Sequence, residues 1–275
     1  MSKHSFPSHK ILVPTDFGPA STIALGFARV IHEKFGTPVG VLHAYHLDAP
    51  PYFSSGQIET LKREINRARH SAEELMSNEN ASRLGFEAEI FIVNNPPVEA
   101  ILEESDRLGV GMVIMGTHGR HGARRLMLGS VAERVLRQSR IPVLAVRESA
   151  KPGLFRNIFC PFNFSEVGRA ALDYAADIAV ANDAPLTIMH AQESGDGPPA
   201  CELVEEPIRK RCKVEEILIG GEAAKSILEA VQRVKPDLVV MGAEQKSTII
   251  RELFSSTTER VMQLADAPLL VVPKN

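Results

Sequence analysis

Tryptophan is absent, tyrosine occurs three times, and aromatic residues make up only 5% of the chain. Exposed stacking platforms for single-stranded nucleic acid are therefore not expected. Neither sign of charge is in large excess: 31 Lys and Arg stand against 34 Asp and Glu, a net charge of -3. That balance gives no general attraction to nucleic acid or to an anionic membrane surface. The three cysteines, Cys160, Cys201 and Cys212, are odd in number and without close paired spacing, which argues against a disulfide framework and a cysteine-rich zinc site. No apolar run approaches the roughly 20 residues of a membrane span. The opening MSKHSFPSHK has no apolar core of the kind a secretory signal needs, and cytoplasm is the expected location. What is present is a globular composition, 44% hydrophobic and 24% charged over 275 residues, enough for two domains that each bury a core.

The chain repeats itself. KILVPTDFG at Lys10–Gly18 aligns with NIFCPFNFS at Asn157–Ser165, and the register runs on, without a gap, to Leu42-His43-Ala44 opposite Met189-His190-Ala191 at an offset of 147 positions. VIMGTHGR at Val113–Arg120 aligns with VVMGAEQK at Val239–Lys246 at an offset of 126, through Glu133-Arg134-Val135 and Glu259-Arg260-Val261 to Pro142 and Pro268. The second copy is thus 21 residues shorter, and the whole loss falls between its second and third strands.

Within the first copy, Lys10–Thr15, Val39–Ala44, Val110–Met115 and Pro142–Val146 are short apolar runs of strand length, and Glu87–Val93 alternates at period two. Helical stretches lie between them at Ala20–Phe35, Gln57–Leu84, Val98–Leu108 and Ser130–Gln138. Near-continuously apolar strands alternating with helices predict a parallel sheet covered on both faces, a doubly wound α/β domain. The second copy reads alike, except that its deficit removes most of the long second helix and leaves Glu193–Lys213 as an irregular connection. The boundary is placed near Glu148–Phe155, where Pro and Gly break the apolar pattern, giving domains at 1–148 and 156–275.

In such sheets a ligand sits at the carboxyl ends of the strands, where the winding reverses. Two features of the first copy meet there. Pro14-Thr15-Asp16 closes the first strand, and Gly116-x2-Gly119-x9-Gly129-Ser130 runs from the fourth strand into the next helix. Glycine admits close approach of a ligand to the backbone. A helix opening at Gly129-Ser130-Val131 offers free N–H groups and a positive dipole end to phosphate oxygens, with Ser130 as N-cap and hydroxyl donor. The intervening segment carries His118, Arg120, His121, Arg124 and Arg125 without an acid, which suits a polyphosphate. Asp16 could accept from ribose hydroxyls or support hydrated Mg²⁺. Taken singly, these features read as a turn, a solvated basic loop and a helix cap; across one switch point they favour a phosphate site.

The glycine string, with ILVPTDFG and VLHA upstream, resembles the ATP-binding pattern of the universal stress protein family, once per copy and complete only in the first. The resemblance implies an adenine nucleotide alpha hydrolase-like fold with strand order 3-2-1-4-5, and antiparallel pairing of the domains through their last strands, Pro142–Val146 and Pro268–Val272. It implies ATP, with Mg²⁺, held by Pro14, Thr15, Asp16, Ala44, Met115, Gly116, His118, Gly119, Arg120, Gly129, Ser130 and Val131. Adenine would lie near Pro14, Thr15 and Ala44, the ribose by Asp16 and Gly116, and the phosphates within the remaining loop and helix start.

The second copy departs where it matters. Asp16 becomes Asn163, Thr15 becomes Phe162, Gly119 becomes Gln245 and Gly129 becomes Ser255, while Ser256 stands in the place of Ser130. Its site is expected to be impaired or lost. His43 and His46 resemble a metal pair, but His43 matches His190 in the repeat and is read as structural; no metal site is assigned. The charged stretch Glu59–Glu74 reads as a solvated surface. With no recognisable nucleophile–base pair, the leading expectation is an ATP-binding regulatory protein of the stress response. A slow ATPase or phosphotransferase using the same pocket is the alternative, and G-x4-G-K-[ST] is absent. Nucleic acid and membrane are not expected partners, two chains could pair further, and the sequence names no downstream protein.

Overall fold

The computed structural model describes Phe6 and residues 9–46, 54–79, 85–117, 128–191, 199–243 and 256–274. The first half runs β1 (Ile11–Pro14), α1 (Pro19–Phe35), β2 (Val39–Tyr45), α2 (Ser55–Glu79), β3 (Glu89–Asn94), α3 (Pro97–Arg107), β4 (Met112–Gly116), α4 (Ser130–Gln138) and β5 (Val143–Val146). The second half runs β6 (Ile158–Phe162), α5 (Glu166–Asn182), β7 (Leu186–Ala191), α6 (Glu206–Arg209), β8 (Val214–Ile219), α7 (Ala223–Val234), β9 (Leu238–Ala243), α8 (Ser256–Leu264) and β10 (Leu269–Pro273). Helix ends follow local chemistry. Pro19 opens α1, where its missing N–H costs nothing, and Gly36 closes it at φ 69°, ψ 15° with its N–H on the His32 carbonyl. Ser165 caps α5 by accepting the Gly168 N–H at 3.0 Å.

All ten strands form one sheet in the order β3-β2-β1-β4-β5-β10-β9-β6-β7-β8. Each half is parallel with the order 3-2-1-4-5 in its own numbering, and the halves meet where β5 and β10 pair antiparallel. At that joint Leu144 lies opposite Leu270, its own repeat equivalent, flanked by Ala145 with Leu269 and Val143 with Val271. A local two-fold axis therefore passes between the two leucines, and neither apolar strand is left as an open edge.

Both faces of the sheet are covered, which accounts for the continuous apolar strands. One face packs α1 (Ala24, Phe27, Ile31) and α5 (Ala171, Leu172, Ile178) over the sheet. The other packs α3 and α4 (Val98, Ile101, Val135) and α7 and α8 (Ile227, Val261). The segment joining the halves packs as well. Phe155 is buried and stacks on Phe27 with ring centroids 6.0 Å apart, and Pro152 sits so close to Gly26 that a Cβ there would lie 2.6 Å from its Cγ.

Two sequence expectations need correction at the shortened connection and the long helix. Glu193–Lys213 is not wholly irregular: a 3-10 helix spans Ala200–Leu203 and α6 spans Glu206–Arg209. Glu216 of β8, which stands where the first half has Ile90, explains the first of them. Its carboxylate accepts the Ala200 N–H at 3.0 Å and the Cys201 N–H at 3.2 Å, pinning the short helix across the sheet end that α2 covers in the first half. Helix α2 starts two residues earlier than expected, at Ser55, and ends at Glu79; residues 80–84 lie outside the described residues.

Candidate functional site

The turn after β1 is built by its own side chains. The Thr15 hydroxyl accepts the Phe17 N–H at 3.0 Å, and Asp16 Oδ1 accepts the Gly18 N–H and the Ser21 hydroxyl, both at 2.9 Å. Phe17 takes the left-handed conformation at φ 62°, uncommon for a bulky residue, and Phe164 at the same place in the second half has φ 57°. That backbone reversal folds Asp16 back over the start of α1. The Asp16 carboxylate thus ties the turn to Gly18, the N-cap of α1, and to Ser21, while also lining the cleft described next.

A cleft of about 620 Å³ opens at the carboxyl ends of β1, β2 and β4. Nine of the twelve sequence-selected residues line it: Pro14, Thr15, Asp16, Ala44, Met115, Gly116, Gly129, Ser130 and Val131. His118, Gly119 and Arg120 lie outside the described residues. Leu42, Pro97 and Ile101 give it an apolar wall, and Ser21, His43, Thr117 and Ala132 complete the lining. Its size falls within the roughly 300–1,000 Å³ of small-molecule and cofactor sites.

Three details revise the chemistry read from the glycine string. The N-cap of α4 is Gly129, not Ser130, and no side chain hydrogen-bonds to that cap. Ser130 is therefore the first helical residue, and its hydroxyl is not spent on capping. Gly129 has φ -66° and ψ 145°, which any residue adopts, so its value would lie in lateral room rather than backbone freedom. Gly116 is required by packing: a Cβ there would lie 2.6 Å from Ala20 Cβ and 2.9 Å from the Ala20 carbonyl carbon. Gly242 is crowded in the same way, 2.6 Å from Val167 Cγ1 and the Val167 oxygen. That shared contact explains why this glycine survives in both copies when the later ones do not.

His43, which the sequence reads as structural rather than metal-ligating, has its Nδ1 2.9 Å from the Thr15 carbonyl oxygen and its ring against Phe17 with centroids 4.7 Å apart. It also lines the cleft, which the sequence reading missed; its position one residue before Ala44 was the available signal. Ile101 was recognised only as helical periodicity, and Thr117 carried no motif at all. Among the described residues, no group of three or more His, Cys, Asp or Glu could hold a metal ion.

A universal stress protein family model matches residues 7–147 and 199–273, most of the chain. The chain belongs to the universal stress protein family. A universal stress protein of Methanocaldococcus jannaschii is 30% identical over 152 residues, covering 50% of this chain and 94% of its own length. Another, from Bacillus subtilis, is 28% identical over 149 residues, covering 50% of this chain and 99% of its own. The crystal structure of a universal stress protein from Archaeoglobus fulgidus superposes with a TM-score of 0.80 at 25% identity, over 98% of this chain and all of that one. The two curated relatives thus correspond to one unit each, and the Archaeoglobus structure to the tandem arrangement.

In this universal stress protein the second half keeps a smaller cleft at the equivalent place, about 200 Å³. Phe162, Asn163, Met189, Met241, Gly242, Thr257 and Thr258 line it, among others. Asn163 Oδ1 accepts the Ser165 hydroxyl at 2.7 Å, and a Cβ on Gly168 would lie 2.4 Å from that same oxygen. Gly168 thus stands where the first half has Ser21, and the hydroxyl on Asn163 comes instead from Ser165, in the place of Gly18. No helix among the described residues is long and apolar enough to cross a membrane.

Proposed function

We propose that this stress-response protein is a nucleotide-binding regulator that takes one ATP per chain, in the cleft of its first half. The observation that carries this reading is convergence. Residues from three separate stretches of sequence, at Pro14–Asp16, Met115–Gly116 and Gly129–Val131, meet on one cleft of about 620 Å³ that the sequence assigned to a nucleotide. The apolar wall of Leu42, Pro97, Ile101 and Met115 suits a flat base. The α4 N-terminus, without a side-chain cap, suits phosphate oxygens. Asp16 is the single carboxylate among the described residues of the lining, which fits a Mg²⁺ ion that takes one carboxylate together with phosphates and water. Such an ion would supply charge neutralisation for the bound triphosphate.

The described lining offers no poised nucleophile and base, which favours binding over turnover. The Ser21 proton is shared between Asp16 Oδ1 and the Gly18 carbonyl, both at 2.9 Å, and His43 Nδ1 is engaged by the Thr15 carbonyl. The contraction to about 200 Å³ and the loss of Asp16 and both later glycines support an impaired second cleft. Isothermal titration of the full chain with ATP and Mg²⁺ should saturate near one equivalent, and single-turnover incubation should leave the nucleotide intact. Two equivalent sites, or rapid multi-turnover product formation, would overturn the reading.

A further inference from the structure

The joint between the halves is not symmetric in its side chains. Arg147 follows β5 directly, and its guanidinium donates to the carbonyl oxygens of Met262 (3.3 Å) and Gln263 at the end of α8. A cation there complements the negative end of the helix dipole. Arg137 of α4 donates to Glu133 at 2.9 Å and also reaches Glu259 of α8 at 3.7 Å. By the 126-residue offset, the counterparts of Arg147 and Arg137 are Pro273 and Gln263, neither of them a cation. Both of these guanidiniums come from the first half, and both reach α8.

The same helix touches the stem of the loop between β4 and α4. The Gly129 N–H donates to the Thr117 carbonyl at 2.7 Å, and the Thr117 N–H donates to the Val146 carbonyl at 2.9 Å. This places the stem one residue from Arg147. Thr117 and Leu128, on the two sides of the stem, face Val261 and Met262 of α8, and Ala265 just beyond its end, across a gap of about 10 Å³. That is no more than a single water needs. Thr117 lines this gap and the large cleft alike.

We propose that α8 of the second half braces the stem of the nucleotide loop through Arg147, so that the degenerate half sets the ATP affinity of the intact one. The proposal rests on the ATP reading above. Packing this tight transmits displacement rather than absorbing it, and coupling is reciprocal: whatever α8 adds to ATP affinity, ATP must return to α8. Arg147 lines the joint gap and not the cleft, which makes it a positioning residue.

The test is amide hydrogen exchange of the full chain over Ser256–Leu264, with and without saturating ATP and Mg²⁺, alongside titration of variants. Exchange in α8 should slow several-fold with ATP. Arg147→Met should weaken ATP binding about five- to thirtyfold and abolish that slowing, and Arg147→Lys should recover part of both. ATP binding by the parent with no change in α8 exchange, and binding by Arg147→Met within twofold of it, would overturn the brace alone. A parent that does not bind ATP would overturn the functional reading, and the brace with it, before any variant is made. If Arg147→Met does not fold, the exchange comparison on the unmodified chain decides.

Discussion

Replacing Gly116 by alanine separates its packing role from a ligand-contact role. The added Cβ would sit 2.6 Å from Ala20 Cβ and 3.1 Å from the Ser21 nitrogen, whereas carbon atoms rest at about 3.5–4.0 Å. Helix α1 must therefore retreat from β4 by about 1 Å, a gap that forfeits roughly a quarter to a half of each affected dispersion contact. Overpacking of this kind costs about 1–3 kcal/mol, or a fall in melting temperature of roughly 2–12 °C for a chain of this size. The same movement would stretch the 2.9 Å bond from the Ser21 hydroxyl to Asp16 beyond hydrogen-bonding range, so ATP affinity should fall by at least about fivefold, near 1 kcal/mol. Gly242→Ala meets Val167 just as closely and serves as the control: it should destabilise by a similar amount and leave ATP binding within about threefold of the parent. Differential scanning calorimetry and isothermal titration read the two effects. If Gly116→Ala melts within 1 °C of the parent, the close approach of α1 to β4 is not a constraint and the argument fails.

The double change Gly119→Gln and Gly129→Ser, which copies the second half's residues into the first, should weaken ATP binding roughly ten- to 150-fold, the equivalent of one charge-assisted contact. Because Gly129 has an ordinary φ of -66°, circular dichroism and melting temperature should barely change; binding within threefold would show the glycines to be turn residues. Glu216→Gln should cost about 1–3 kcal/mol at pH 7 by weakening the acceptor of the Ala200 and Cys201 N–H groups. Burial raises the Glu216 pKa, but the Cys201 and Ala200 N–H groups, the Cys201 thiol and nearby His190 outweigh it and hold the value below the usual carboxylate range. The carboxylate's contribution is then present above the unfolded value and lost as pH falls through the folded one. Melting curves of parent and variant should accordingly draw together in acid as pH falls through the lowered folded value, and a difference that does not shrink with falling pH would refute the assignment.

The alternation of strands and helices was legible because both faces of the sheet are covered, which forces apolar residues into nearly every strand position. The repeat marked out two like halves, while the order 3-2-1-4-5 and the antiparallel joint, where Leu144 faces Leu270, were expectations carried by the family resemblance. The site was legible where residue type is tied to position, as at Asp16 and the glycines. It was less so where three-dimensional contact assigns the role. Gly116 was chosen for a ligand and is demanded by Ala20; Ser130 was chosen as a cap and follows one. Arg147 had no signature, because its partners are backbone carbonyls 115 and 116 residues away, and carbonyls leave no trace in sequence. The short helix at Ala200–Leu203 was hidden likewise, because what anchors it is two of its own backbone N–H groups bonded to Glu216.

The antiparallel seam between β5 and β10 has a further consequence when the two halves are considered as partners on one tether. Separate chains of each kind would meet by collision, and three pairings, two of like with like and one mixed, would compete for every available edge. A covalent link of roughly a dozen residues replaces that contest with an effective concentration in the millimolar range, so that only the mixed pairing is made and its population is independent of dilution. Each half is then free to change without having to remain complementary to a copy of itself. A substitution in the second half no longer appears twice in the assembly, and loss of one cleft leaves the other intact. The asymmetry of this molecule, one capacious cleft and one contracted, is a state that a symmetric pair of identical chains could not reach.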